Sequence, residues 1–356
     1  MPKALIAMSG GVDSSVAAYL IHNQGYECMG VTMKLLNDQD IESTCCSLDD
    51  VEDARSVANR IGIPYYVFNF QDEFKEKVIN KFIDCYEKGG TPNPCIDCNR
   101  YLKFEKLLQR AKEIEYDYVV TGHYARIEFN GERYILKKAL DDSKDQSYVL
   151  YSLTQEQLKH TLFPLGGLTK KETRKIAEEN GFINSKKKDS QDICFVPNGD
   201  YVSVIKDFTG KTYPEGSFVD KNGNILGKHR GIIGYTIGQR KGLGLSLKEP
   251  MYVCDKCMEN NTVVLAKNEE LYSKEFKATD FNWILYETPP KELRAKARIR
   301  YKQEEQWATV RVINEKNVSV EFDEPQRAIA KGQSVVLYQD DIVVGGGTII
   351  GDSPRN

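Results

Sequence analysis

Apolar and polar positions follow two rhythms along the first half of the chain. A short unbroken apolar run at residues 4–8 predicts a buried strand, and the glycine- and serine-rich stretch 9–15 leads into a helical pattern reaching Leu20. Apolar runs at 28–33, 65–70 and 116–121 predict further strands, with helical patterns over 49–61, 73–86 and 99–114 between them. Strand-helix alternation with short connections implies right-handed crossovers and an α/β class, with a doubly wound parallel sheet. Ligands in such a sheet sit beyond the carboxyl ends of the strands, which puts the 9–15 loop, Met33 and Gly122-His123 on one edge. Asn130-Gly131 between two apolar runs predicts a hairpin, and Thr169 with Glu172 predicts a capping box on a helix ending at Gly181. From about residue 208 short strands and glycine turns take over, including a hairpin at 220–223, and residues 277–351 alternate as in a small β-barrel. The expected division is 1–207 catalytic, 208–276 a small β-rich central domain, and 277–356 the barrel.

Composition narrows this picture. A chain of 356 residues, 40% hydrophobic and 28% charged, can bury a full core in two or three domains. No apolar run reaches the ~18 residues of a membrane span and no signal-peptide pattern opens the chain, so a cytoplasmic protein with no membrane partner is expected. Nine cysteines in that setting imply reduced thiols with chemical or metal roles, not a disulfide framework. A net charge of -3 does not advertise nucleic-acid binding, but a large partner needs only a local basic face.

Candidate chemistry begins at Ser9-Gly-Gly-Val-Asp-Ser-Ser15. Two glycines permit a tight turn and Ser14 or Ser15 can cap the following helix, whose bare amides and partial positive charge suit a phosphate. Asp13 would repel that phosphate unless a metal ion lay between them. No Gly-Lys-Ser/Thr follows, so the loop is not the common P-loop. Met33 reads as an adenine contact or as core, and His123 as a substrate contact or a satisfied loop histidine. Cys95 and Cys98 precede a predicted helix, with Cys98 at or beside its start, where the helix dipole favours a thiolate. Their spacing fits a chance pair, a redox pair or half of a metal site, and no complete metal-ligand set is read. Cys194 stands in a polar context, Cys254 and Cys257 in a strand-like stretch, and no role is read for Cys45 or Cys46. Lys170, Lys171, Arg174, Lys175 and Lys186–Lys188 read as a solvated basic face. Lys228, Arg230, Arg240 and Lys241 around Tyr235 suit an RNA backbone, with the aromatic free to stack. Arg294, Lys296, Arg298, Arg300 and Lys302 recur at period two, so one strand would present them on one face.

The loop Ser-Gly-Gly-Val-Asp-Ser resembles the pyrophosphate loop of adenine nucleotide alpha-hydrolase-like enzymes, which split ATP between the α and β phosphates. Together with VTMK at 31–34, TPNPC..CN at 91–99, TGHYAR at 121–126, KDQSYVL at 144–150, SQDICF at 190–195, GYTIGQRKGLG at 234–244 and KGQSVVLY at 331–338, the whole chain resembles the tRNA-specific 2-thiouridylases. The resemblance implies ATP at Ala7, Met8, Ser9, Gly10, Gly11, Val12, Asp13, Ser14, Met33 and Gly122, with Mg2+ on the phosphates. It implies tRNA contacts from Asn93, Pro94, Cys95, His123, Lys144, Asp145, Gln146, Arg300, Tyr301 and Gln333. ATP would adenylate the 2-oxygen of the wobble uridine of tRNAs for Lys, Glu and Gln. Sulfur loaded on Cys194 as a persulfide by a donor protein would replace it, with Cys98 as nucleophile and a Cys98-Cys194 disulfide as by-product.

One departure stands out: Cys95 occupies a position where many members carry Asp, so either Asp97 would take over any acid/base role or that role would be dispensable. Cys95, Cys98 and Cys194 could instead hold an iron-sulfur cluster. Amidating or ligating enzymes share the loop without needing paired cysteines, and a non-enzymatic RNA- or metal-binding protein would leave the loop unexplained.

Overall fold

The computed structural model describes residues 1–36, 47–189 and 193–351. Cys45, Cys46 and Ser190 to Asp192 lie outside the described residues.

Five parallel strands form the first sheet: β1 (Lys3–Ala7), β2 (Glu27–Lys34), β3 (Tyr65–Asn69), β4 (Tyr118–Val120) and, after the hairpin β5 (Ala125–Phe129) and β6 (Tyr134–Lys138), β7 (Thr161–Leu162). Their order β3-β2-β1-β4-β7 reverses direction between β1 and β4. A doubly wound sheet opens a crevice at that reversal, so the loops leaving β1 and β4 flank the expected ligand site. β1 is apolar because both faces are covered: Ala4 and Ile6 pack in one core, Leu5 in the other, all with no exposure. α1 (Val12–Asn23) and α2 (Leu48–Ile61) follow β1 and β2; α2 starts on a Ser47-Asp50 capping box and stops at Gly62 in the left-handed region.

A four-stranded sheet, β10-β11-β8-β9, comes next, built from β8 (Gly216–Asp220), β9 (Ile225–His229), β10 (Tyr252–Cys257) and β11 (Thr262–Ala266). The last unit comprises β12 (Tyr272–Trp283), β13 (Glu292–Arg298), β14 (Gln306–Asn314), β15 (Asn317–Arg327), β16 (Ser334–Gln339) and β17 (Ile342–Gly351), and the β12-β17 pairing closes these six antiparallel strands into a barrel. Its interior is Phe276, Ala295, Ala308, Val310, Val320, Phe322 and their neighbours.

The β5-β6 hairpin does not stay with the parallel sheet. It adds to the barrel, with Lys137 paired to Ile342 and the Lys138 amide donating to the Asp341 carbonyl at 2.7 Å. The catalytic unit and the barrel therefore share one eight-stranded sheet.

Several sequence expectations are corrected. β13 ends at Arg298, so Arg300 and Lys302 lie in the turn beyond it and do not continue its face. Acids answer the cations on that face: Arg294 pairs with Asp323 at 2.7 Å and Arg298 with Glu305 at 3.0 Å. Tyr235 is buried against Phe218 and His229 and offers no stacking face, although Lys228, Arg230, Arg240 and Lys241 are exposed. Among the described residues no helix is long and apolar enough to cross a membrane.

Candidate active site

Gly11 is the N-cap of α1, and no side chain caps the helix; the Ser14 and Ser15 hydroxyls both donate back to the Gly11 carbonyl at 3.0 Å. The expected serine cap is thus absent, and the first-turn amides are left for an anion. Gly10 stands at φ +71°, and a Cβ there would lie 2.3 Å from the Asp50 carbonyl oxygen. A Cβ on Gly122 would sit 2.7 Å from both the Asp13 carbonyl carbon and the Ser14 amide. Glycine at 122 is what lets the β4 loop close onto the start of α1. Met8 is fixed from behind, its carbonyl accepting from Thr32 Oγ1 at 2.6 Å, and Met33 is buried in the core. Ala7, Ser9, Val12 and Ser14 complete the loop, with the Ser9 amide donating to Ser14 Oγ at 3.1 Å.

The run of lysines read as a solvated face does other work. Lys170 Nζ lies 2.7 and 2.8 Å from the two oxygens of Asp13. Lys187 reaches Asp50, Asp53 and the Gly10 carbonyl, while Asn184 donates to the same carbonyl at 2.9 Å. Positive spacing along a helix cannot distinguish a solvated lysine from one whose stem runs inward to a carboxylate. Asp13 also accepts from Tyr124 Oη at 2.9 Å.

Cys95 and Cys98 sit farther into a helix than expected. Asn93 stands at the N-cap position without a side-chain cap and Pro94 opens the helix, so Cys95 lies in the first turn and is exposed, while Cys98 begins a π-helical stretch, Cys98–Lys106. π-helical turns recur at functional sites because they shift the side chains that follow. Asn99 is buried and donates to the Val149 carbonyl at 3.0 Å, locking the helix beside Cys98. Cys98 and Cys194 are both half-buried, and both pack on the same apolar core. Phe195 anchors the second cysteine, its ring edge-on to Phe74 at 5.6 Å and to Phe82 at 5.1 Å. Asp97 lies between Lys81 and Arg100; burial pushes its carboxyl up to about 6 against those two cations.

The barrel frames this region. Gln333 donates to the carbonyls of Thr91 at 2.9 Å and Pro92 at 3.3 Å, and the Thr91 amide donates to the Lys331 carbonyl at 2.8 Å. Tyr301 Oη donates to the Asp145 carbonyl at 3.2 Å, and Cys95 lies close enough to Tyr301 to influence its ionisation. Arg300 spends its guanidinium on the carbonyls of Ala328 and Ile237.

Within the 144–146 loop Lys144 is half-buried, its Nζ donating to Asp189 at 2.8 Å. Asp145 is buried and accepts from Ala139, Ser147 and the Ser147 hydroxyl, while Gln146 Oε1 accepts from the Tyr124 amide. His123 is buried between Phe104 and Phe163, Nδ1 2.7 Å from Thr121 Oγ1, and burial together with Lys103 holds it well below the usual histidine range, hence neutral. Its surroundings are those of a satisfied core histidine.

No group of three or more His, Cys, Asp or Glu that could hold a metal ion occurs among the described residues. Cys95, Cys98 and Cys194 therefore do not fit an iron-sulfur cluster in this arrangement. The Asp13 carboxylate beside bare helix amides does fit a Mg2+ shared with a triphosphate, since that ion takes one or two carboxylates and phosphate oxygens.

Three family models match in succession: the tRNA methyl transferase HUP domain at residues 2–198, the tRNA methyl transferase PRC-barrel domain at 203–267, and the aminomethyltransferase beta-barrel domain at 273–349. Over 352 residues the chain is 56% identical to the tRNA-specific 2-thiouridylase MnmA of Clostridioides difficile (strain 630), covering 98% of both chains. The chain belongs to the tRNA-specific 2-thiouridylase family. A second member, from Acetivibrio thermocellus, is 54% identical over 354 residues, 98% of this chain and 99% of its own length. The domain models carry methyltransferase descriptions, but identity above one half across all three domains identifies the enzyme class as sulfurtransferase. The fold is accordingly a HUP domain, a PRC-barrel middle domain and a six-stranded C-terminal barrel.

Proposed function

We propose that this enzyme adenylates the 2-oxygen of the wobble uridine in tRNAs for Lys, Glu and Gln and replaces it with sulfur carried on Cys194. The observation that carries this reading is the packing of Cys98 and Cys194 on one core, on the chain that holds the uncapped α1 loop. An amide-like oxygen cannot leave unaided. ATP at residues 7–14 would supply AMP to it, with pyrophosphate as leaving group and the α1 amides taking up the negative charge. Mg2+ held by Asp13 would neutralise phosphate charge.

Sulfur would arrive from a donor protein as a Cys194 persulfide. Cys98 thiolate attacks Cys194 Sγ, the outer sulfur departs as hydrosulfide and adds to the activated carbon, and AMP leaves. The disulfide left behind needs two electrons from an external thiol before the next turnover. In the other order the outer sulfur attacks carbon first and Cys98 then closes the disulfide; the balance is the same. Lys144, Tyr301 and the 91–95 loop would meet the RNA, and a cytoplasmic setting supplies the thiol.

Unmodified tRNA incubated anaerobically with ATP, Mg2+ and a persulfide donor, without added iron, tests this by nucleoside mass spectrometry. 2-Thiouridine should form with the wild type and with neither Cys98→Ser nor Cys194→Ser. Product that appears only after iron and sulfide are reconstituted would overturn the persulfide route.

A further inference from the structure

Lys170 and Asp189 take no part in the chemistry above, yet they join two of its parts. Lys170 Nζ bridges two carboxylates, Asp13 at 2.7 and 2.8 Å and Asp189 at 2.7 Å, with only 11% of its side chain exposed. Asp189 also accepts from Lys144 Nζ at 2.8 Å and from Arg174 at 2.9 Å. Arg174 is not free to move, because it also donates to the carbonyls of Ser185 and Lys187 at 3.0 Å. Burial works against the Asp189 carboxylate, but the bonds from Lys144 and Lys170 hold it down to about 2. A line of charge thus runs Asp13, Lys170, Asp189, Lys144, from the nucleotide loop to the half-buried lysine of the 144–146 loop.

Each inner member of that line is shared. An ammonium between two carboxylates binds one more tightly when the other is taken away, and a carboxylate between two ammoniums behaves the same way. We propose that Lys170 and Asp189 are positioning residues that make nucleotide binding and RNA binding favour each other. Engaged by Mg2+ and a triphosphate, Asp13 gives up Lys170; Lys170 settles on Asp189; Asp189 loosens its hold on Lys144, whose ammonium turns to an RNA phosphate. The inference rests on the reading that ATP occupies the 7–14 loop and that Lys144 meets tRNA.

Coupling of this kind is reciprocal and needs no turnover to be seen. The affinity of the full-length protein for labelled unmodified tRNA is measured by anisotropy with and without Mg2+ and α,β-methylene ATP, and the affinity for the analogue with and without tRNA. In the wild type each ligand should tighten the other by one common factor, roughly 5- to 150-fold. Asp189→Asn should bring that factor to about one while each ligand alone binds within about threefold of wild type; Lys170→Met should do the same to the factor, and Lys170→Arg should retain part of it. If Asp189→Asn does not melt cooperatively, Lys170→Gln cuts the same line. Both ligands binding the wild type without coupling, or Asp189→Asn keeping the full factor, would overturn the inference alone. A wild type that binds no analogue at all overturns the nucleotide-site reading and the inference with it.

Discussion

Arg100, two residues beyond Cys98, pairs with Asp280 of the barrel, and Asp280 holds its backbone at φ +50° to do so. The position is a β-bulge in β12, where the register shifts between Thr279 and Asn282. A second contact, Arg100 to the other Asp280 oxygen at 3.3 Å, makes the pair two-pronged. The barrel thereby grips the helix that carries the proposed nucleophile.

Asp280 separates backbone from charge. Asn and Gly tolerate a left-handed backbone better than Ala. The pair is open enough to solvent to contribute about 1 kcal/mol of stability or less. Asp280→Asn and Asp280→Gly should therefore melt within a few degrees of wild type, about 2–4 °C at most, whereas turnover should fall roughly tenfold, the equivalent of about 1.4 kcal/mol of misplacement in the transition state. Asp280→Ala should be worse in both. Single-turnover thiolation beside thermal melts checks this.

Asp97 should leave a mark on acid stability. Its carboxyl is raised to about 6 from an ordinary 3.8, so between those values the folded protein holds a proton that the unfolded chain has lost. Stability from this group is fullest at the acid end of that window and falls as pH rises through it. Asp97→Asn should flatten that fall, and the melting-temperature difference between variant and wild type should grow in the variant's favour from pH 4 to pH 6.

Lys256 should act in the opposite range. Burial lowers its ammonium to about 8 from 10.5, and Nζ donates to the Tyr235 carbonyl at 2.9 Å. The unfolded chain keeps its proton above pH 8 while the folded one loses it, so this group makes stability rise between about 8 and 10.5. Lys256→Met should raise stability at pH 7 and remove that alkaline rise, read from denaturant midpoints at the two pH values.

Gly122 has no room for a methyl group. Its Cβ would meet backbone atoms of Asp13 and Ser14 at 2.7 Å, and backbone cannot rotate away. Gly122→Ala should cost about 1–3 kcal/mol of stability and weaken ATP binding at least tenfold. Its affinity for tRNA in the absence of nucleotide should stay near that of the wild type, by the anisotropy measurement above.

Much of this was legible before any coordinates. Unbroken apolar runs and short connections fix the parallel sheet, because strands covered on both faces cannot alternate. The tight turn after β1 follows from the two glycines there, but the serines suggest a cap that does not form, because both hydroxyls turn back to the Gly11 carbonyl. What was not legible depends on distance in the chain. Nothing local to Lys170 says that its stem points at Asp13, 157 residues earlier. Alternation continues through Lys302 and so hides the end of β13 at Arg298; only the turn after it takes Arg300 to the carbonyls of Ile237 and Ala328. The clear periodicity begins only at Asn99, which by itself points to a helix start at Cys98. Pro94, just after Asn93, is the available sign that the helix starts one turn earlier.

The shared sheet has a consequence for how the enzyme is made. Among the described residues strand β6 finds its outer neighbour in β17, whose first residue, Ile342, lies far beyond it in the chain and leaves the ribosome much later. Until then the hairpin's edge is bare, and bare edges pair with whatever strand comes near. A chain cut short before residue 342 would keep the HUP sheet but lose both barrel closure and that cover. Synthesis in order thus leaves the hairpin uncovered until β17 has been made, so copies that stop short of it carry an exposed strand edge.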